Sequence, residues 1–454
     1  MDVPETDGCI GRVVRAGSSS ATRLNLRAWL PASRALGSFG ANVVFMLAGT
    51  ALGQLASVLF SPALTRLYSP DQFGYLGVYS AVLTIFGAVA ALGLDLAIPI
   101  ATSTIELANL VVSGTIALTV TTIAVSLAVW FIPDTLFAVL WLGPLASYRI
   151  LVPIGFACVG AYYVTVAAAT RLNAYRHIAW TRISQGLSGP ITQIVLGVLG
   201  AGAPGLAVGF IVGQSSGTFM IFSRVLMREP ELHTSVSWRG IREVLRRYAG
   251  FPLFASWARV LDMAGSGSVL VLLISACYSP AIAGYMFLTE RVIARPLLIV
   301  STSLLQVFTG EAGQAVQRDP ARLRHRFWQV VPRQFALSAV WIAVANLVAG
   351  WAFPILFGQQ WDAATPYLRA LSVSYLALAV LHPVSTLMQI IERQLLAAMW
   401  QVCRLMLIIA GVVVAWQVGW SALTALWLSS LAQAAACAAM LAMLVISVRR
   451  IACQ

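Results

Sequence analysis

Apolar stretches of about 20 residues, the length a helix needs to cross a bilayer, recur along the whole chain between short polar connections. They fall at roughly 39–61, 73–94, 108–131, 148–169, 179–200, 204–225, 251–276, 282–305, 332–355, 366–390, 395–416 and 421–446. Twelve such segments predict an all-α, polytopic membrane protein. The first, second, seventh and eighth carry more Gly, Ser and charge than the others. Small residues let helices approach closely, and polar residues line cavities.

Those four segments flank a repeated turn. Tyr68-Ser69-Pro70-x-x-x-Gly74-Tyr75 recurs as Tyr278-Ser279-Pro280-x-x-x-Gly284-Tyr285, each copy between two apolar segments. The spacing predicts a duplication, with two pseudo-symmetric six-helix lobes around a central cavity. Six helices per lobe makes equivalent helices run the same way, so the pseudo-twofold axis lies along the membrane normal. The expected organisation is a tail at 1–36, a first lobe at 37–225, a linker at 226–250, a second lobe at 251–446 and a short tail at 447–454. The first tail is polar, Gly-Ser-rich and without a secretory signal; its end, Leu24–Leu36, could lie on the membrane surface. In the linker, Ile241, Val244, Leu245 and Tyr248 are at helical spacing opposite Arg242, Arg246 and Arg247. That pattern fits an interfacial helix, and an ordinary basic loop equally well.

Composition supports this frame. The chain is 59% hydrophobic and only 10% charged, with a mean hydropathy of +0.84; soluble domains carry about 25% charged residues. The net charge of +13 does not point to nucleic acid, because the basic residues, all of them Arg, cluster in short loops. Their asymmetry sets orientation. Every second loop is rich in Arg (Arg171, Arg176, Arg182; Arg224 to Arg247; Arg318 to Arg333; Arg393), as are both tails, while the opposite loops hold only Arg66 and Arg149. Both termini are therefore expected in the cytoplasm. Cys9, Cys158, Cys277, Cys403, Cys437 and Cys453 show neither metal-ligand spacing nor a disulfide framework.

The stretch 246–314 concentrates the unusual chemistry. Arg259, Asp262, Glu290, Arg291 and Arg295 lie in two adjacent apolar segments, and a charge inside hydrocarbon normally faces a bundle interior or a wet cavity. Arg259 and Asp262 are three apart, share a helical face and can pair. Arg291 and Arg295 are four apart, so two guanidinium groups stack and need something anionic nearby: Glu290, Asp262, or a bound phosphate, which Arg holds bidentately. The alternative is that these arginines are structural or reach the interface by snorkelling. Arg369 and Arg404, near expected helix ends, suit that alternative better. His177, His233, His325 and His382 are isolated, no GKS/T phosphate loop occurs, and the loops opposite the basic ones are short. No catalytic set emerges.

Two stretches resemble a known family. Gly49–Ser103, GTALGQLASVLFSPALTRLYSPDQFGYLGVYSAVLTIFGAVAALGLDLAIPIATS, is similar to the N-terminal signature of Wzx-type polysaccharide flippases, and Arg247–Phe308 is similar to the start of their second lobe. Looser similarity runs from about 40 to 445. The superfamily also holds MATE exporters and lipid II flippases. The resemblance implies a bacterial inner-membrane transporter that moves an undecaprenyl-diphosphate-linked oligosaccharide from the cytoplasmic to the periplasmic leaflet for surface polysaccharide (O-antigen, capsule or exopolysaccharide). Asp95 occupies the acidic position of the family's Glu-Leu-Ala-Ile-Pro-like motif. The resulting expectation is a diphosphate held by Arg259, Arg291 and Arg295. Asp262, Glu290 and Asp95 would be counter-charges or ion-coupling groups. No cofactor is expected beyond coupling to H+ or Na+; membrane lipids and a polysaccharide polymerase with its export machinery are the expected partners. Three other classes fit less well: a MATE-like cation exporter, which would want an acidic cavity; a membrane polymerase or transferase, which usually carries a large extramembrane loop; and a non-transporting scaffold.

Overall fold

The computed structural model of the protein describes residues 38–133, 135, 143–230, 234–318, 320–391 and 393–451. The expected tail at 1–36 lies outside them. The chain divides after Asn42, and everything below concerns residues from Val43 onward.

All the described secondary structure is helical. The first lobe consists of α1 (Phe45–Leu67), α2 (Pro70–Gly87), α3 (Thr104–Phe131), α4 (Leu151–Arg171), α5 (Tyr175–Val198) and α6 (Gly202–Arg224). A linker helix, α7 (Trp238–Arg247), leads to the second lobe. That lobe holds α8 (251–277), α9 (280–318), α10 (Pro320–Phe357), α11 (Ala364–Leu381), α12 (Gln394–Gln417) and α13 (Ala422–Ile451). Every one of the twelve apolar segments is thus a helix. Among the described residues, nine are long and apolar enough to cross a membrane unaided. The other three are α2, which opens on Pro-Asp-Gln, α5, which carries Gln185 and Gln193, and α9, which carries Glu290, Arg291 and Arg295. Polar spans of this kind must be shielded by neighbours.

The repeated turn works the same way twice. Ser69 Oγ accepts from the Gln72 N–H (3.4 Å) and Gln72 Oε1 accepts from the Ser69 N–H (3.0 Å), a reciprocal cap with Pro70 in the first turn of α2. Ser279 Oγ accepts from the Ile282 N–H (3.3 Å), with Pro280 opening α9; Ile282 has no side-chain acceptor to return the bond. The two helix starts then pack on each other. A Cβ added at Gly74 would overlap the Pro280 carbonyl oxygen, and one added at Gly284 would overlap the Pro70 carbonyl oxygen. This reciprocal contact is what a pseudo-twofold axis between the copies requires, and it explains glycine at both positions.

Helix α2 is the keel of the bundle. It packs on α4 and α6 of its own lobe and on α8 and α9 of the other. Trp361, fully buried in the α10–α11 connection, closes the end of the bundle where the repeated turns meet. Its Nε1–H donates to the Thr65 carbonyl (3.0 Å), and its ring meets Phe73 and Tyr285 edge-on at 5.0 and 5.8 Å. Gln360 Nε2 donates to the same Thr65 carbonyl (2.8 Å). The other end of the bundle carries α7 and the α2–α3 connection.

Candidate functional site

Where α2 runs out, the chain turns through two left-handed residues, Leu92 (φ 50°) and Gly93 (φ 71°), before a short helical turn, Leu94–Ala97. A side chain at 93 would also collide with Ser256 Oγ, so glycine is needed there for both conformation and space. The turn aims Asp95 at the start of α8. Arg259 Nη1 donates to Asp95 Oδ2 in an ion pair that joins the two lobes. The Asp95 side chain is 6% exposed and that of Arg259 18%. The guanidinium also lies over the Tyr163 ring of α4, 4.5 Å from its centroid.

The expected Arg259–Asp262 pairing does not form. Asp262 is exposed and accepts a hydrogen bond from Gln401 Nε2 of α12 (2.7 Å). The two residues do share a helix, but leaving the buried Asp95 carboxylate alone would cost more than leaving the solvated Asp262.

Arg291 is 4% exposed, and its Nε–H donates to Ser57 Oγ of α1 (3.1 Å). No carboxylate among the described residues lies within ion-pair distance of it. Glu290 goes instead to Arg295, with Oε1 to Nε at 3.8 Å, and the Arg295 guanidinium lies over Phe287 at 5.7 Å. The pairing across five residues follows from the backbone. Residues Glu290–Ala294 form a π-turn, in which the Arg295 N–H bonds the Glu290 carbonyl, so positions i and i+5 come together. Glu290 also lines a cavity of about 70 Å3 with Gly267, Met286, Tyr375 and Gln433. Helix α8 is likewise interrupted there, with Gly267 at φ 113°.

Sequence reasoning set aside one further buried charged group, Arg404, and did not single out another, Glu106. Arg404 is 4% exposed rather than interfacial. Its Nη2–H donates to Gln401 Oε1 (2.7 Å), its guanidinium stacks on Trp400 (4.7 Å), and its Nε has no partner. The signal was present: position 404 is too far inside the segment 395–416 to snorkel. Glu106, at the start of α3, accepts from the Thr102 N–H (2.6 Å), Arg247 Nη1 (2.9 Å) and the Tyr248 hydroxyl (3.0 Å). Burial, reinforced by this bond to Glu106, raises the Tyr248 phenol above its ordinary value, so it remains a donor across the physiological range. Glu106 thereby clamps the C-terminal end of the linker helix to the first lobe. We expect Glu106→Ala, which leaves Tyr248 without a buried acceptor, to lower the Tm of the purified protein by several degrees; an unchanged Tm would mean the clamp carries no stability.

Among the described residues, twelve long helices in two lobes, with charged groups on the facing helices, form a fold found in solved transporters. The lipid II flippase MurJ in an inward closed conformation superimposes with a TM-score of 0.66 at 13% identity, covering 90% of each chain. An inward-facing MATE family multidrug transporter of the MOP superfamily gives 0.62 at 14% identity, covering 90% of this chain and 95% of that one; an outward-facing one gives 0.59 at 14%, covering 90% and 96%. No curated protein matches the chain by sequence. The fold is therefore the one these solved proteins share. By sequence, the chain belongs to the polysaccharide biosynthesis protein family, whose model matches residues 63–366.

Proposed function

We propose that the protein flips undecaprenyl-diphosphate-linked oligosaccharide units from the cytoplasmic to the periplasmic leaflet of a bacterial inner membrane, for surface polysaccharide assembly. The observation that carries this reading is Arg291, a guanidinium buried between the lobes with a neutral hydroxyl as its only hydrogen-bond partner among the described residues. An unpaired buried cation is costly, and a diphosphate entering between the lobes offers the oxygens it lacks. In this reading Arg295 and Arg259, each held by a carboxylate in this structure, add further contacts to the diphosphate. The polyprenyl tail stays in lipid while the sugar head crosses between the lobes, which rock to open that path to each side. Glu290, Asp262 and Asp95 balance the arginines. Among them Glu290, on the cavity wall beside Tyr375, is best placed to couple transport to H+ or Na+. The bias of arginine toward the end bearing α7 supports a cytoplasmic position for that end and for both termini.

The test is genetic. Deletion of the gene is expected to trap lipid-linked oligosaccharide in the cytoplasmic leaflet and abolish surface polysaccharide. Normal translocation with unpolymerised chains would make the protein an enzyme of chain assembly, and altered drug sensitivity without a glycan defect would make it an exporter. In the complemented strain, Arg291→Ala should cut surface glycan by roughly 10- to 100-fold, the worth of one or two charge-assisted hydrogen bonds, with protein still in the membrane. Wild-type glycan in that variant would remove Arg291 from the substrate path.

A further inference from the structure

Helix α7 shows four sectors around its circumference, at about 100° per residue. Ile241, Val244 and Tyr248 are buried against the first lobe, where Val244 and Tyr248 join a core with Ala101, Leu107, Ile221 and Leu226. Ser237 caps the helix by accepting from the Gly240 N–H (3.1 Å), and its own N–H donates to Asn109 Oδ1 of α3 (3.1 Å). Beside the buried sector lies an apolar one left uncovered by the described residues: Trp238 is 76% exposed and Leu245, two turns on, 43% exposed. Next comes a basic sector of Arg239, Arg242 and Arg246, all exposed. Glu243 and Arg247 complete the circle.

We infer that α7 is a docking surface for anionic phospholipid headgroups of the leaflet it borders. The order of the sectors carries the argument. A helix at the edge of a membrane protein meets the core on one side, acyl chains on the next and headgroup phosphates above them. Trp is the side chain that settles at that boundary, and Arg beside it reaches phosphate level. The placement follows from the chain itself, because α7 connects two membrane-spanning helices, α6 and α8, and so lies at a membrane face. An acidic protein partner would use the arginines but leave Trp238 and Leu245 in water. A lipid headgroup satisfies both sectors together. Lipid held here also bears on the lobes, since α7 ends at Arg247 and Tyr248, the clamp on Glu106, a few residues before α8 begins. The inference does not rest on what the protein transports.

Retention of phosphatidylglycerol by the purified full-length protein, counted by native mass spectrometry against phosphatidylethanolamine, tests it. The wild type should prefer phosphatidylglycerol. Arg239→Gln/Arg242→Gln/Arg246→Gln should lose at least about ten-fold of that retention, given several-fold per basic residue near an anionic surface. The charge-matched Arg324→Gln/Arg333→Gln/Arg393→Gln variant, three exposed arginines of the second lobe, should keep it. The corresponding triple Arg→Lys variant should keep most of it, which separates loss of charge from loss of fold. Trp238→Ala should weaken retention several-fold. Equal retention in the wild type and the Arg→Gln triple variant, equal loss in the second-lobe control, or displacement of the lipid by millimolar inorganic phosphate would each overturn the inference.

Discussion

Asp95→Asn is expected to open the α7 end of the bundle. The Asp95–Arg259 pair crosses from one lobe to the other, so it exists only while the lobes are together at that end. Removing one member of a well-buried pair costs about 3–5 kcal/mol. Arg259 keeps some exposure, so a value below that range, about 2–3 kcal/mol, is appropriate here. That is a shift of roughly 30-fold or more toward the parted state. Ser256 reports it, being 1% exposed and packed beside Gly93. In a background lacking the native cysteines, Ser256→Cys should react slowly with a membrane-impermeant maleimide applied from that side, and much faster with Asp95→Asn. Arg259→Gln should behave like Asp95→Asn. The charge-exchanged double variant, Asp95→Arg with Arg259→Asp, should recover part of the protection, which a purely steric role for either residue would not allow. If labelling is the same in all four proteins, the pair is no lock. In the parted state Asp262, one turn from Arg259 on the same helix, is the carboxylate available to take over.

The second large effect is expected at the opposite end. Gly284→Val places a branched side chain against the Pro70 carbonyl, and Gly74→Val does the same to Pro280. Both obstacles are backbone, so no rotamer change relieves the overlap and α2 and α9 must separate. Overpacking of this kind costs about 1–3 kcal/mol or more. The separation would also strain the Trp361 seal, whose hydrogen bond to Thr65 spans the lobes. Thr65, fully buried, should therefore become accessible as Thr65→Cys in either glycine variant, with surface glycan lost. Gly350→Ala is the control: it lies mid-helix with nothing within 4 Å, and should leave both readouts at wild-type level. Accessibility of Thr65→Cys unchanged by Gly284→Val would show that this contact does not hold the end closed.

Much of the architecture could be read from the chain. Twelve apolar segments became twelve helices, because the length that spans a bilayer is written locally in composition. The duplication was visible in the Tyr-Ser-Pro-x-x-x-Gly-Tyr repeat, although nothing in either copy alone said that each glycine would receive the other copy's proline carbonyl. The unusual charge of α8 and α9 was equally plain. Its pairing was legible only in part: Glu290 was a candidate counter-charge for Arg291 and Arg295 and does reach Arg295. The Arg259–Asp262 pairing respected helical spacing and was still wrong, since the competing carboxylate came from 164 residues away. Arg404 was placed near a helix end although its position within 395–416 already put it inside the span; which neighbours bury it is set by how α12 packs in the lobe.

What the sequence determines by itself is whatever depends on near neighbours along the chain: which segments are helical and apolar, where Ser and Pro start them, which faces of α7 are basic or oily, and that ionisable groups occupy spans where they are expensive. Tertiary structure alone decides which of those groups meet. It joins Asp95 to Arg259 across the lobes and brings Glu290 to Arg295 through a π-turn that ordinary helical spacing does not anticipate. Among the described residues it also leaves Arg291 with only a serine hydroxyl as hydrogen-bond partner. The physical reason is that periodicity fixes the direction of a side chain from its own helix axis, while its electrostatic partner depends on which other helix the packing brings alongside.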